Sequence, residues 1–123
     1  MFVDTNPHNA GATASDALWA GLPVLTRIGE TFAGRVAASL LTAIELPELI
    51  ARSWDEYERH AVELATDPGK LAGLREKLER NRLTTSLFDT ETFTRNLESA
   101  YLAMHARRQA GLPPDHIQVS VGP

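Results

Sequence analysis

Residues 9–26 read NAGATASDALWAGLPVLT, a turn of small residues followed by a short helical stretch and an apolar segment. Residues 2–4 (FVD) are typical of the end of a strand, and residues 23–26 (PVLT) of a buried strand. This order of strand, glycine-containing turn, helix and strand predicts a β-α-β unit. The turn of such a unit points free backbone N–H groups at a helix N-terminus, where anions bind. The stretch therefore predicts a site for a nucleotide diphosphate.

The composition of the 123 residues, 43% hydrophobic and 23% charged, is typical of one globular domain or a piece of one. A net charge of −4 argues against a nucleic-acid-binding protein, which usually carries a basic face. Cysteine is absent, which excludes disulfides and thiolate metal sites and is compatible with a reducing cytoplasm. The apolar runs fall far short of the roughly 20 residues that cross a bilayer. We therefore expect a cytoplasmic protein with neither a nucleic-acid nor a membrane partner.

The first predicted strand begins at residue 2, so the chain starts inside a sheet with almost no lead-in. A parallel sheet is normally covered by helices on both faces. We therefore interpret the chain as a fragment of a larger lobe. Because a truncated sheet leaves an apolar face and an open edge, which recruit partner chains, we also expect a homo-oligomer.

After the second predicted strand, the sequence predicts one helix and then a segment whose structure is ambiguous. Apolar residues recur at steps of four between residues 32 and 41, and Thr31 is placed to cap the helix that they predict. Pro47 disfavours a helix at the preceding residue but suits the start of a new turn. Residues 46–50 are therefore interpreted as a short strand or a single turn. On the first helix, Trp19 is expected in the core.

From Ser53 onward the sequence predicts helices. A Ser53-x-x-Glu56 capping box starts the first, and the pair Asp67-Pro68 ends it and starts the second. Asp89 or Thr90 caps a third long helix. The aromatic and long apolar residues of these helices are expected in the core or on a lobe-packing surface, and they are Trp54, Tyr57, Phe93, Leu97, Tyr101 and Met104.

Residues 9–26, followed by GETFAGRVAASL at 29–40, resemble the C-terminal catalytic lobe of the O-linked N-acetylglucosaminyltransferase family. Further blocks follow the same order and similar spacing in that family, namely ELIA at 48–51, EYE at 56–58, SLFDT at 86–90, LE-x-x-YL-x-M at 97–104 and PDH at 114–116. The resemblance covers nearly the whole chain. Several separate blocks are much more specific than one glycine motif.

The resemblance implies a glycosyltransferase of the two-Rossmann-lobe type, usually preceded by tetratricopeptide repeats. Such an enzyme moves N-acetylglucosamine from UDP-GlcNAc to Ser or Thr of a protein acceptor. The family's catalytic candidates, and the lysine that contacts the donor diphosphate, precede the residue that matches Met1. We therefore expect no catalytic residue here, a dependence on the missing N-terminal part of the lobe, and no sugar transfer by the chain alone. Beyond the UDP-sugar donor, we expect no cofactor and no metal.

Together, the residues and the resemblance predict an α/β fold. It consists of a partial Rossmann-like lobe, with two or three short parallel strands and flanking helices, followed by a helical C-terminal half. We divide the chain into a nucleotide-sugar-binding segment at residues 1–52, a helical part of the same lobe at 53–110, and a tail at 111–123.

By resemblance, the UDP site comprises Asn9, Gly11, Ala12, Thr13 and Asp16. The Asp16 carboxylate would accept hydrogen bonds from the ribose hydroxyls, or else it is a surface acid that compensates the helix dipole in the first turn. Thr13 either contacts the donor phosphates or caps the helix. Asn9 is either a turn former or a ligand contact.

Gly11 and Ala12 depart from the family, which carries histidine and threonine at the matching positions. Two side-chain donors are therefore missing, and the loss of each would weaken donor binding by about 1 to 3 kcal/mol. This departure motivates an alternative function, a non-catalytic α/β interaction or oligomerisation domain that has lost donor binding.

Glu30 follows the second predicted strand, at the end where open α/β sheets usually bind ligands. It either faces the donor, caps the helix predicted after Thr31, or bonds Arg35.

Overall fold

The computed structural model describes residues 1–119 and has three parallel strands in the order β1-β2-β3. Phe2 pairs with Val24, and Thr26 pairs with Ile50. Helices connect consecutive strands, as the β-α-β pattern predicts. The elements of this part are β1 Phe2–Val3, α1 Ala12–Trp19, β2 Val24–Arg27, α2 Val36–Ala43, a 3-10 helix at Pro47–Leu49, and β3 Ile50–Ala51. The predicted α/β fold with short parallel strands is confirmed.

The central strand β2 lies in the middle of the core. Val24 and Leu25 are fully buried, because helices contact the strand and leave it no solvated face. Leu18 of α1 and Leu41 of α2 are buried in the same cluster. The apolar run that follows residue 22 is thus a strand covered on both faces.

The helical half begins at three side-chain caps, each at a predicted position. Helices α3 Trp54–Thr66, α4 Pro68–Asn81 and α5 Thr90–Gln109 follow, with a 3-10 helix Ser86–Phe88 before the last. Ser53 Oγ accepts from Glu56 N at 3.1 Å, and Asp89 Oδ1 accepts from Thr92 N at 3.0 Å. Asp67 Oδ1 accepts from two amides of the α4 start. The Glu56 carboxylate accepts from Arg52 N at 2.7 Å, one residue before the usual capping-box partner.

The helix predicted after Thr31 forms, but its predicted start is wrong. Gly34 N donates to the Thr31 carbonyl and hydroxyl oxygens, both at 3.1 Å, so residues 31–35 form turns and α2 begins only at Val36. The reason is tertiary, because Gly29 N donates to Gly34 O at 2.7 Å. A Cβ atom on Gly34 would lie 3.1 Å from the Pro7 carbonyl oxygen. This close packing between two loops overrides the helical periodicity.

The core placement of Trp19 is also wrong, since its side chain is 53% exposed. Helix α1 buries Ala14 and Leu18, which are four residues apart, and Trp19 lies on another side. Its ring meets Phe88 edge-on at 5.0 Å between centroids, and the Arg82 guanidinium lies 5.5 Å from the ring centroid. Trp19 therefore belongs to a surface cluster.

Contacts divide the chain into two compact units, Met1–Phe88 and the residues from Asp89 onward. In the second unit, the four residues of the predicted apolar face of α5 are all exposed, and they are Phe93, Leu97, Tyr101 and Met104. They are therefore not core residues in the described part of the chain. Residues 111–119 contain no helix or strand, and the last four residues of the predicted tail lie outside the described residues. The division at residues 52/53 and 110/111 stays a prediction.

Within residues 1–119, no helix is long and apolar enough to cross a membrane.

Candidate functional site

A buried carboxylate organises the carboxyl end of β1. Asp4 follows the strand directly and is 4% exposed. Its Oδ1 accepts from Thr5 N and from Ala10 N, both at 2.8 Å, and its Oδ2 accepts from Thr26 Oγ1 at 2.7 Å. Because a buried carboxylate needs such partners, residues 4–10, here called the Asp4 loop, are held against β2.

Tyr57 of α3 ties a third element to the Asp4 loop. Its hydroxyl donates to the Asp4 carbonyl oxygen at 2.7 Å, and its ring meets Trp54 edge-on at 5.7 Å between centroids. Burial, with the Asp4 charge as the smaller cause, raises the pKa of Tyr57 above its usual value. The phenol thus stays a donor at neutral pH. In the sequence, only an aromatic residue on a predicted helix pointed toward this contact.

Asn9 carries an unused acceptor in the Asp4 loop. Its backbone N donates to Ala33 O and its Nδ2 donates to Thr5 O, both at 2.9 Å. The residue is 2% exposed, and its Oδ1 has no hydrogen-bond partner among residues 1–119. A buried acceptor without a partner costs about 1 to 3 kcal/mol, so native structures retain few of them. Asn9 Oδ1 therefore has unused hydrogen-bonding capacity close to the start of α1.

The N-terminus of α1 follows directly and has no side-chain cap. Gly11 occupies the N-cap position, and the first intrahelical bond runs from Ser15 N to Gly11 O at 3.0 Å. The N–H groups of Ala12, Thr13 and Ala14 therefore have no partner within the helix. Such an end attracts an anion.

Thr13 and Asp16 occupy different helix positions from those predicted. Thr13 is the second helical residue, so its interpretation as the N-cap is wrong. Asp16 is the fifth, and no acid stands in the first turn. Because the dipole effect falls off within the first turn, dipole compensation does not explain Asp16. Ala12, Thr13 and Asp16 are exposed and share the helix face opposite Ala14. Their contact with a nucleotide stays a prediction.

The two structural roles predicted for Glu30 are wrong. It caps no helix, since α2 begins at Val36, and it forms no ion pair with Arg35 in the described part of the chain. Arg35 Nη1 donates instead to the Gly29 carbonyl oxygen at 3.2 Å. The third possibility, that Glu30 faces the donor, stays a prediction.

Two arginines at the carboxyl ends of neighbouring strands were missed by the sequence analysis. Arg27 ends β2 and Arg52 follows β3, and both line one cleft with Trp54. The Arg27 guanidinium lies 4.9 Å from the centroid of the Trp54 ring. The only signal in the sequence was an arginine at the end of each of two strands.

Among residues 1–119, no three His, Asp or Glu side chains come together as a metal ion would need.

A parallel sheet with a glycine-bearing turn and an uncapped helix at its carboxyl edge belongs to the class of open α/β folds, which bind their ligands at that edge. The model for glycosyl transferase family 41 matches residues 1–97, and the chain belongs to that family. The resemblance to the O-linked N-acetylglucosaminyltransferase family is confirmed by this match together with similar proteins of that family.

Curated relatives match almost the whole chain. A UDP-N-acetylglucosamine–peptide N-acetylglucosaminyltransferase of Caenorhabditis elegans is 39% identical over 115 residues, which are 94% of this chain and 10% of the relative. The probable enzyme SEC of Arabidopsis thaliana is 41% identical over 120 residues, or 97% of this chain and 12% of the relative. The chain thus spans about a tenth of the length of these relatives.

A solved structure supports the fold directly. An O-GlcNAc transferase mutant of Thermobaculum terrenum is similar with a TM-score of 0.77 and 43% sequence identity. The match covers 83% of this chain and 20% of the solved one.

Proposed function

We propose that this chain supplies one wall of the UDP-GlcNAc site of an enzyme that transfers N-acetylglucosamine to Ser or Thr of a protein acceptor. The proposal includes that the chain does not transfer sugar alone, because it spans only about a tenth of the length of the curated relatives. The relatives of C. elegans and Arabidopsis thaliana carry this donor and a peptide acceptor in their names. The proposal includes a cytoplasmic location and a parent protein with tetratricopeptide repeats.

The observation that carries the proposal is the buried, unpartnered Oδ1 of Asn9 beside an uncapped helix. The Asp4 loop is held by side-chain bonds to β2 and α3, so the acceptor and the helix end keep a defined relation. Such preorganisation lowers the ordering cost of binding. A ligand that donates to Asn9 and places phosphates at the helix end would satisfy both groups.

The proposed roles follow the helix from its start. The backbone N–H groups of residues 12–14 and the Thr13 hydroxyl bind the diphosphate. The Asp16 carboxylate, one turn further on the same face, accepts from the ribose hydroxyls. Gly11 and Ala12 contribute backbone only, so affinity for UDP is lower than in relatives with histidine and threonine there.

A UDP titration by calorimetry tests the proposal. Asp16→Asn should weaken binding about tenfold, because it removes a charge-assisted acceptor. Asp55→Asn, which changes an exposed acid of α3, should leave binding unchanged and serves as the matched control. If the folded chain and a longer protein containing it both fail to bind UDP at millimolar concentration, the proposal is wrong.

A second candidate, an interaction or oligomerisation domain, is favoured by exposed apolar side chains. On α5, Phe93 is 63% and Leu102 is 71% exposed, and Val3 is exposed on β1. Large exposed apolar groups favour association with another chain. Sedimentation at high concentration should then give a dimer or a larger assembly, and a compact monomer would contradict this function.

A further inference from the structure

A cleft opens at the carboxyl ends of β2 and β3, apart from residues 9–16. Its wall includes residues from three loops and the start of α3, among them Asn6, Arg27, Glu30, Thr31, Arg52 and Trp54. We call it the arginine cleft. In open α/β sheets this edge is where ligands bind.

Arg27 is held in place but not neutralised. Its guanidinium stacks over Trp54, and its Nε is buried without a hydrogen-bond partner in the described part of the chain. Among residues 1–119, its side chain forms no ion pair. Trp54 is in turn packed against Tyr57, so the platform under the guanidinium is fixed. Because Arg27 lines the cleft and its charge has no ion-pair partner within residues 1–119, its guanidinium can bind an acceptor there.

Arg52 brings a second positive charge to the same wall. Its backbone N is used by the Glu56 carboxylate, whereas its exposed guanidinium has no ion pair within residues 1–119. The exposed carboxylate of Glu30 also lines the cleft and opposes an anion. Two guanidinium groups against one carboxylate leave the cleft positive in a chain whose net charge is −4.

We propose that the arginine cleft binds an oxyanion, a phosphate or a carboxylate, between Arg27 and Arg52. Guanidinium groups bind both ligands through paired N–H···O bonds, and stacking on an aromatic ring orients the fork. General attraction of anions to an acidic protein is weak, so binding here must come from these local charges. This site does not depend on UDP binding by residues 9–16.

Fluorescence of Trp54 provides a direct test. The chain has two tryptophans, so Trp19→Phe leaves Trp54, under the Arg27 guanidinium, as the single reporter. Titration with pyrophosphate should change its emission with saturation, and added salt should weaken the binding. Calorimetry on the unmodified chain, with both tryptophans in place, checks that the background substitution is harmless.

Matched charge substitutions separate this site from general electrostatics. Arg27→Gln and Arg52→Gln should each weaken pyrophosphate binding about tenfold or more, since each removes a charged donor. Glu30→Gln should tighten it about two- to threefold by removing the opposing charge. Arg75→Gln, on an exposed part of α4, should have no effect. Arg52 is exposed, so its variant tests the site even if Arg27→Gln does not fold.

The proposal is overturned if pyrophosphate does not saturate, or if Arg75→Gln weakens binding as much as the cleft variants. If pyrophosphate does saturate, hexaglutamate distinguishes the source of the oxyanion. Loss of hexaglutamate binding in the Arg27 and Arg52 variants assigns an acidic peptide, and hexaglutamate that does not bind at all assigns a phosphate. UDP binding by residues 9–16 should be unchanged in both variants. Asp16→Asn should leave pyrophosphate binding in the cleft intact, so failure of the nucleotide proposal is seen separately.

Discussion

Replacing Asp4 tests the contact that positions the whole candidate site. In Asp4→Ala, the amides of Thr5 and Ala10 and the hydroxyl of Thr26 lose their shared acceptor. At about 1.5 kcal/mol for each hydrogen bond to a charged group, these three bonds contribute about 4.5 kcal/mol. Water that enters the space recovers part of this, so we expect the free energy of unfolding to fall by about 3 kcal/mol.

The measurement is urea unfolding followed by tryptophan fluorescence. Both tryptophans lie in the unit Met1–Phe88, so the signal reports the unit that contains Asp4. A double-mutant cycle of Asp4→Ala with Thr26→Val isolates the 2.7 Å bond between the two side chains, because neither replacement side chain can form a hydrogen bond. We expect a coupling energy of about 1 kcal/mol or more.

Two results would refute the reasoning about Asp4. One is a loss below about 0.5 kcal/mol in Asp4→Ala, which is the range of ordinary surface substitutions. The other is strict additivity of Asp4→Ala and Thr26→Val, which would mean that the bond contributes nothing. If the reasoning holds, Asp4→Asn should also weaken UDP binding, since the loop that carries Asn9 loses part of its support.

The remaining predictions concern the same loops. Tyr57→Phe should lower the free energy of unfolding by about 0.5 to 1.5 kcal/mol at pH 8. The pKa of Tyr57 is raised in the folded state, so the Tyr57 hydroxyl contributes its full stabilisation below the ordinary pKa of about 10 and loses it as the pH rises through the folded-state pKa. In urea titrations at alkaline pH, the difference in unfolding free energy between the unmodified chain and Tyr57→Phe should therefore shrink. Gly34→Ala should lower the free energy of unfolding by about 1 to 3 kcal/mol, because its Cβ atom would lie 3.1 Å from a backbone oxygen. Gly73→Ala lies in a helix with open space around the new Cβ atom, so it should raise the free energy of unfolding by about 0.5 to 1 kcal/mol in the same urea titrations. Equal effects of the two alanines would contradict the packing argument. Ala12→Thr combined with Gly11→His should tighten UDP binding about fivefold for each added hydrogen bond, as measured by calorimetry. Position 11 tolerates the larger side chain, because a Cβ atom there has only an ordinary contact at 3.6 Å. Unchanged affinity would argue against phosphates at this helix end.

Local signals explain why the helical half was well predicted. Ser53, Asp67 and Asp89 each precede a helix and accept hydrogen bonds from its first turn. A cap depends on residues two or three positions away, so sequence alone contains the information. The same holds for β2, where a short apolar run after a proline predicts a buried strand.

Predictions that depended on distant neighbours were less successful. The start of α2 is decided by the approach of Gly34 to Gly29 and Pro7, which no helical periodicity reveals. The exposure of Trp19 depends on which side of α1 faces the sheet. Both are outcomes of packing between elements, and local propensity is overridden there.

The sequence by itself determined the strand, turn and helix that hold Asn9 to Asp16, because these elements are specified by neighbouring residues. Only the tertiary structure decided how they are held and what else lies beside them. Tyr57 reaches Asp4 from 53 positions away, and parallel pairing of β2 with β3 places Arg27 and Arg52 along one edge. Such contacts join residues whose separation in the chain carries no periodicity, so they form only when the sheet has assembled and its loops have packed.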